Sequence, residues 1–408
     1  MVRVDADLLI PGRGAPVRDG VVVVDGSTIV YAGAAGGAPE NNGDESVRVS
    51  VAMPGLWDCH GHFLGIPSLD LSRLLTDPVP LRAVRCTHDL RAALNAGVTS
   101  VRELGGLGLH LAQAVAEGLL EGPAIYGAGA ILGTTGGHAD VHRFPLDWLT
   151  DFAHSGGEMR QCDGVDDCIR AVREQLRRNA KVIKVCASGG VLSEIDDPIH
   201  QQFTMRELSA IVDVATMAER VVAAHCHGKP GIMAALAAGV HTIEHGTYLD
   251  DEVCDAMRET GAVLVPTRTV VVESSEGDQL PPFAKAKLAA IADRHVEAVA
   301  LAHERGVTIA MGTDIAVTGA NLPASWGHNG RELPLLVESG MTPLEAIEAA
   351  TANGPLTLGP QAPQSGVLEQ GYDADIIALD ADPLADIQVM ADPNHIVGVW
   401  RAGRRVKV

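Results

Sequence analysis

From about residue 55 onward, short apolar runs rich in Val and Ile alternate with longer stretches of helical periodicity, which is the pattern of a parallel sheet joined by crossover helices. Eight such runs can be traced: "GLWDCH" (55–60), "VTSVRE" (98–103), "AIYGAG" (124–129), "KVIKVCA" (181–187), "VVAAHCH" (221–227), "VHTIEH" (240–245), "AVLVPT" (262–267) and "VTIAMGTD" (307–314). The spacing predicts a (β/α)8 barrel of TIM type over 55–359, a span that suits a fold of ~250 residues or more with insertions. Two of the segments between runs open with helix-start chemistry. Thr204 and Glu207 in "TMRELSAIVDVATMAER", and Thr342 and Glu345 in "TPLEAIEAAT", are each spaced as a capping box, with Pro343 at the first helical position.

Before and after this region the period changes to that of strands and turns, in "DADLLI", "GVVVVDGSTIVYAG" and "VRVSVAMPG" and again in "SGVLEQGYDADIIALDADPLADIQV" and the residues that follow it. Residues 1–54 and 360–408 are therefore expected to form one small β-sandwich domain built from both termini, beside the barrel domain.

Composition narrows the possible partners. The 408 residues are 46% hydrophobic and 20% charged, an ordinary globular balance, and the net charge of −21 argues against nucleic acid or an anionic membrane as a partner. Seven scattered cysteines without a C-x-x-C pair suit a reducing compartment, and no apolar run reaches the ~18 residues of a membrane span. A cytoplasmic location is the expectation.

In a barrel of this kind the chemistry sits at the C-terminal ends of the strands. The first run ends in His60 and His62, the fourth carries Lys184, the fifth ends in His225 and His227, the sixth in His245 and the eighth in Asp314. Residues two apart on a strand face the same way, so His60 and His62 can share a cation. A lone His-x-His is commonly structural and an Asp after Gly-Thr can cap a helix; the ordered set at one mouth is what points to metal. Lys184 lies in "KVIKVCASGG" (181–190), where a bare ammonium is costly to bury. An uncharged amine there can take up CO2 as a carbamate, an anionic ligand able to bridge two cations. Lys181, at the far end of the same strand, is the rival, and a salt-bridged structural lysine is the alternative for Lys184.

The chain resembles the amidohydrolase superfamily, in particular its branch of imidazolonepropionase-like amidases, Xaa-Pro and Xaa-Arg dipeptidases and ochratoxin-type amidohydrolases. The resemblance is carried by "MPGLWDCHGH", "TTGGHAD", "IKVCASGGV", "AHCHG", "TIEHGTYLD", "MGTDIAV", "GRELPLLVESGMTPLEAIEAATANGPLTLG" and the closing "ADIIALDADPLADI". It implies two divalent metal ions, zinc first by donor chemistry with manganese, cobalt or iron also fitting. His60 and His62 would hold the more buried ion, His225 and His245 the more exposed one, carboxylated Lys184 would bridge them, and Asp314 would ligate and act as base. His138, in "GGHAD", matches a position that contacts the scissile carbonyl. His227 would lie near a substrate carboxylate, although spacing alone leaves it open as a ligand.

The reaction expected from these residues is hydrolysis of a peptide-like amide in a dipeptide or N-acyl amino acid, ochratoxin-like aryl amides included. A cation pair lowers the pKa of a shared water from ~15.7 to near 7. Asp314 would accept the proton and pass it to the departing amine, and His138 would help hold the oxyanion. His227, Lys229 or a nearby arginine would hold the substrate carboxylate. Ring opening or deamination of a heterocycle is the alternative within enzymes, and a barrel that has lost catalysis the alternative outside them. The loops after the first, third, seventh and eighth runs would set the substrate. The aromatic-bearing 140–165 segment, with Phe144, Trp148 and Phe152, would be a lid, a subunit contact or a loop with its own small core. A homo-oligomer is expected from the branch.

Overall fold

A computed structural model describes residues 1–41, 45–276, 280–319, 322 and 324–407. Four strands open the chain: β1 (Val2–Leu9), β2 (Val17–Asp25), β3 (Thr28–Ala34) and β4 (Glu45–Pro54). Ten more follow: β5 (Leu56–Ile66), β6 (Val98–Glu103), β7 (Ala124–Gly127), β8 (Ile131–Gly133), β9 (Met159–Gln161), β10 (Val182–Cys186), β11 (Val221–Cys226), β12 (Thr242–His245), β13 (Val263–Val265) and β14 (Ile315–Val317). The chain closes on β15 (Ile376–Leu379), β16 (Ile396–Arg401) and β17 (Arg404–Lys407).

Strands from the two termini form one seven-stranded sheet in the order β17-β16-β15-β4-β1-β2-β3. Its period-2 pattern buries both faces. Ala52, Ile376, Ala378 and Trp400 lie in the sheet's own core, whereas Val51, Met53, Ile377, Leu379 and Val399 pack against the α/β region.

In the α/β region the strands are parallel and lie in two sets, β14-β5-β6-β7 and β13-β12-β11-β10-β8-β9. At one seam Lys181 N–H donates to Gly127 O at 2.8 Å; at the other, residues 308–311 lie between β13 and β5, with Ala310 N–H donating to Leu264 O and Cys59 N–H to Met311 O, each at 2.9 Å. The eighth expected strand, 307–314, is thus reduced to a bridge between Leu264 and Ile309, and β14 begins just after it. Asp58 of β5 ties this stretch down: its carboxylate accepts from Thr313 N–H at 3.1 Å and Thr313 Oγ1 at 2.6 Å. The short strands β8 and β9 were not foreseen; β8 inserts beside β10, with Ile131 opposite Lys184. Both capping boxes form, at the helices Met205–Met217 and Pro343–Ala349. All seven cysteines are buried and unpaired. Among the described residues no helix is long and apolar enough to cross a membrane.

Candidate metal centre

Alternation along the strands sorts their residues. On β10, Ile183 and Val185 pack outward under the helices and Val182 lies in the inner buried layer, so Lys184 faces inward as well. On β11, Val222, Ala224 and Cys226 pack outward and Ala223 inward, which aims His225 and, beyond the strand end, His227 at the same interior. The β5 strand needs a phase change to present its histidines, because Trp57 and Cys59 already occupy the inner layer. A register shift against β6 between Asp58 and Gly61 supplies it. His245 has the parity of the outward-packed Ile243, and its φ of 70° turns it back toward the centre. Thr267 (φ 56°) and Asp314 (φ 58°) share this left-handed backbone, so three non-glycine residues at strand ends carry strain of about 1–3 kcal/mol each.

His60, His62, Lys184, His225, His245 and Asp314 all line one cavity of about 90 Å³, and His138 borders it. The ligand atoms of His60, His62 and Asp314 lie within 4.8 Å of one another, as do those of His225, His227 and His245. His62 Nε2 is 3.1 Å and His60 Nε2 3.6 Å from Asp314 Oδ1, while Lys184 Nζ is 3.5 Å from His60 Nε2.

The second ring nitrogen of each histidine is committed elsewhere. His60 Nδ1 donates to Glu244 Oε2 at 2.8 Å and His62 Nδ1 to Gly105 O at 2.7 Å. His245 Nδ1 and His227 Nδ1 bond to Thr267 Oγ1 and Thr247 Oγ1, each at 2.7 Å. His225 differs, donating from Nε2 to Gly189 O at 3.1 Å, which leaves Nδ1 free for the cavity. Such partners fix the tautomer and aim the remaining lone pair. Burial lowers the pKa of His60 to about 4 and of His227 to about 3, and it carries His225 and His245 well below the ordinary value, so these rings are neutral, the metal-binding form. Burial also lowers Lys184, favouring the uncharged amine, the form whose lone pair can add to CO2. Burial works against a charged Asp314, but His60 and His62 outweigh it and bring its carboxyl to about 2.

Three supporting groups escaped the sequence reading. Glu244 is fully buried; Arg102 grips it through Nη2 at 2.8 and 2.9 Å and also holds Cys59 O through Nε at 2.6 Å. Burial opposes the Glu244 charge, yet Arg102 and His60 hold the carboxyl below the usual range. Its inward parity with Thr242 was the signal that could have found it. Asp58 ties β5 to residue 313 and accepts from Asn329 Nδ2 at 2.7 Å. Ser193 Oγ lies 2.8 Å from His138 Nδ1, and the His138 ring stacks on His225 at 4.2 Å between centroids.

Two expectations change. Lys229 does not reach the cavity: its ammonium is tied to Asp250 at 2.5 Å and Glu252 at 2.6 Å on the outer surface. The 140–165 segment is divided between the helix Leu146–His154, where Trp148 is exposed, and β9, where Met159 lines the cavity. Parts of the expected substrate loops, 277–279, 320–321 and 323, lie outside the described residues.

A buried array of imidazoles and a carboxylate beside a lysine, on the strands of a parallel sheet, is a donor set suited to divalent metal and to hydrolytic chemistry. The family model "Amidohydrolase family" matches residues 51–406, and this chain belongs to that family, hydrolases of amide carbon–nitrogen bonds. The chain is 43% identical to ochratoxinase of Aspergillus niger across 98% of this chain and 86% of that one. The crystal structure of that ochratoxinase superposes with a TM-score of 0.93, at 42% identity, covering 100% of this chain and 95% of that one. A prolidase solved with N-methylphosphonate-L-proline superposes with a TM-score of 0.91 at 32% identity, covering 100% and 99% of the two chains. Imidazolonepropionase of Streptomyces griseus is 25% identical, over 97% of this chain and 95% of that one.

Proposed function

We propose that the protein is a binuclear metal-dependent amidohydrolase cleaving the amide bond of a dipeptide or an N-acyl amino acid, ochratoxin-like aryl amides included. One observation carries the reading: the six expected ligands line a single buried cavity, and one ring nitrogen of each of its four histidines is bonded away from the others, which leaves the second nitrogen toward the cavity. The donor set fits two divalent cations, zinc first by its imidazole and carboxylate chemistry, with His60 and His62 through Nε2, His225 through Nδ1, His245 through Nε2, and carboxylated Lys184 and Asp314 completing the set. Bound cations supply a water acidic enough to be deprotonated near neutral pH and polarise the carbonyl.

The chain's own residues supply the rest. Asp314, kept ionised at neutral pH by His60 and His62, is the group placed to accept a proton and return it to the leaving amine. His138, anchored by Ser193, borders the cavity where the scissile carbonyl would lie. His227 lines the adjoining apolar pocket and is the candidate to meet a substrate carboxylate. We further propose that the two parallel sets close into one (β/α)8 barrel over 55–359, with 1–54 and 360–408 as the second domain, and that the chain works as a cytoplasmic homo-oligomer.

The test joins elemental analysis to a panel of dipeptides and N-acyl amino acids, with Lys184→Ala as the variant. About two metals per chain and metal-dependent turnover are expected in the wild type, with both lost in the variant and partly restored by short carboxylic acids. Full activity in Lys184→Ala would remove the bridging role. One metal per chain would favour the ring-opening or deaminating alternative.

A further inference from the structure

The cavity that holds the candidate ligands continues into an apolar recess walled by Leu64, Leu69, Leu71, Leu74 and Met159, and one charged residue stands in that wall. Glu158 is 3% exposed, and its Oε1 accepts from Arg82 Nη2 at 2.6 Å. Arg82 is itself fully buried and fixed, donating from Nε to Leu64 O at 2.8 Å and from Nη1 to Leu74 O at 3.2 Å. Glu158 Oε2 has no hydrogen-bond partner. Buried carboxylate oxygens are nearly always satisfied, so one that is orphaned in the wall of a reaction cavity calls for a donor from the ligand.

A second recess, lined by Val270, Val271, Leu280, Leu288 and Ile291, opens beside His225, His227 and His245. The two recesses share His138, His225, His245 and Asp314, so a substrate straddling the metal site extends one group into each. Glu158 offers a carboxylate no donor, and the three nitrogens of Arg82 already donate to Leu64 O, Leu74 O and Glu158 Oε1. The carboxylate-bearing half of the substrate therefore belongs in the recess with His227, and the acyl half in the recess with Glu158.

Resting on the N-acyl amino acid reading above, we propose that Glu158, held by Arg82, is a specificity residue that accepts a hydrogen bond from a donor on an otherwise apolar acyl group. Two kinds of acyl group present such a donor: the aminoacyl half of a dipeptide, through its α-ammonium, and an aroyl group, through a phenolic hydroxyl. A recess built to bond a donor disfavours the analogue without one, because the acceptor is then left buried and unpaired.

The experiment compares matched substrates on the metal-loaded enzyme. One arm sets Leu-Phe against N-(4-methylpentanoyl)-phenylalanine, and the other sets the hydroxybenzoyl-phenylalanine isomers against N-benzoyl-phenylalanine. In at least one arm the donor-bearing member is expected to exceed its partner in kcat/KM by about tenfold or more. The arm that responds identifies the donor. In Glu158→Met that ratio falls toward one, with metal content and melting temperature recorded to establish that the variant is folded and loaded. Should that variant not fold, the wild-type ratios decide alone. Ratios within about twofold in both arms, or an advantage that survives in Glu158→Met, overturn the inference while turnover of the substrates leaves the functional reading standing. No turnover of any substrate overturns that reading, and this inference with it.

Discussion

His60 keeps its proton on Nδ1 because a carboxylate can only accept, and Glu244 Oε2 sits 2.8 Å away. That bond leaves Nε2 as the lone pair facing Lys184 and Asp314. Glu244 in turn is fixed by Arg102, so an ion pair inside the α/β region sets the direction of one lone pair of the candidate metal site. Replacing Glu244 by Gln preserves the shape while removing the charge that Arg102 and His60 share. We expect metal affinity to fall about 10–100-fold, read by chelator competition, and the melting temperature to fall with it. Unchanged affinity would mean that His60 is oriented without Glu244.

At the scale of elements, the segment that follows β10 controls His138. Lys287, on the helix Pro282–Glu304, donates to Gly190 O at 3.1 Å and Ser193 O at 2.8 Å and also bonds the Asp196 carbonyl, pinning the segment from outside. From inside, Ser193 and Gln202 bond His138, the latter accepting its N–H at 3.1 Å. Gly190 is required by the close approach, since a Cβ there would stand 2.2 Å from His138 Cε1. Gly190→Ala must displace the ring or the segment, and a misplacement near 1 Å costs about 100-fold in rate. The expected result is a kcat/KM lower by that order with metal content retained, measured on whichever amide the panel identifies. Wild-type kinetics in this variant would show that His138 plays no part in turnover.

For the whole molecule, buried carboxylates make stability depend on pH. Asp89, on the helix Val79–Asn95, accepts from Thr318 Oγ1 at 2.6 Å while its other oxygen has no partner, and burial pushes its carboxyl up to about 7. The folded chain therefore keeps a proton that the unfolded chain releases near ~4. The stability linked to this group is complete below that lower value and is lost as pH rises through 7. Asp89→Asn keeps an acceptor and abolishes the charge. Calorimetric melting curves of the variant should decline less between pH 4 and pH 8 than those of the wild type, with a stability gain on the order of 1–3 kcal/mol at the upper end. Equal slopes would place the pH dependence elsewhere.

Local patterning by itself determined the alternation of strand and helix, the two capping boxes and the strands that carry His60, His62, Lys184, His225 and His245, because hydrophobic periodicity and helix caps are local properties of the chain. Parity read from the sequence could not foresee the β5 register shift that turns His60 and His62 inward, or the left-handed His245 that reverses its own parity. Neither could it find the reduced eighth strand or the Glu244–Arg102 and Glu158–Arg82 pairs, whose members lie 142 and 76 residues apart. Contacts at that separation, and backbone departures held in place by them, exist only once the chain has folded, so the tertiary structure alone decided where the lone pairs point and which wall of the cavity carries charge.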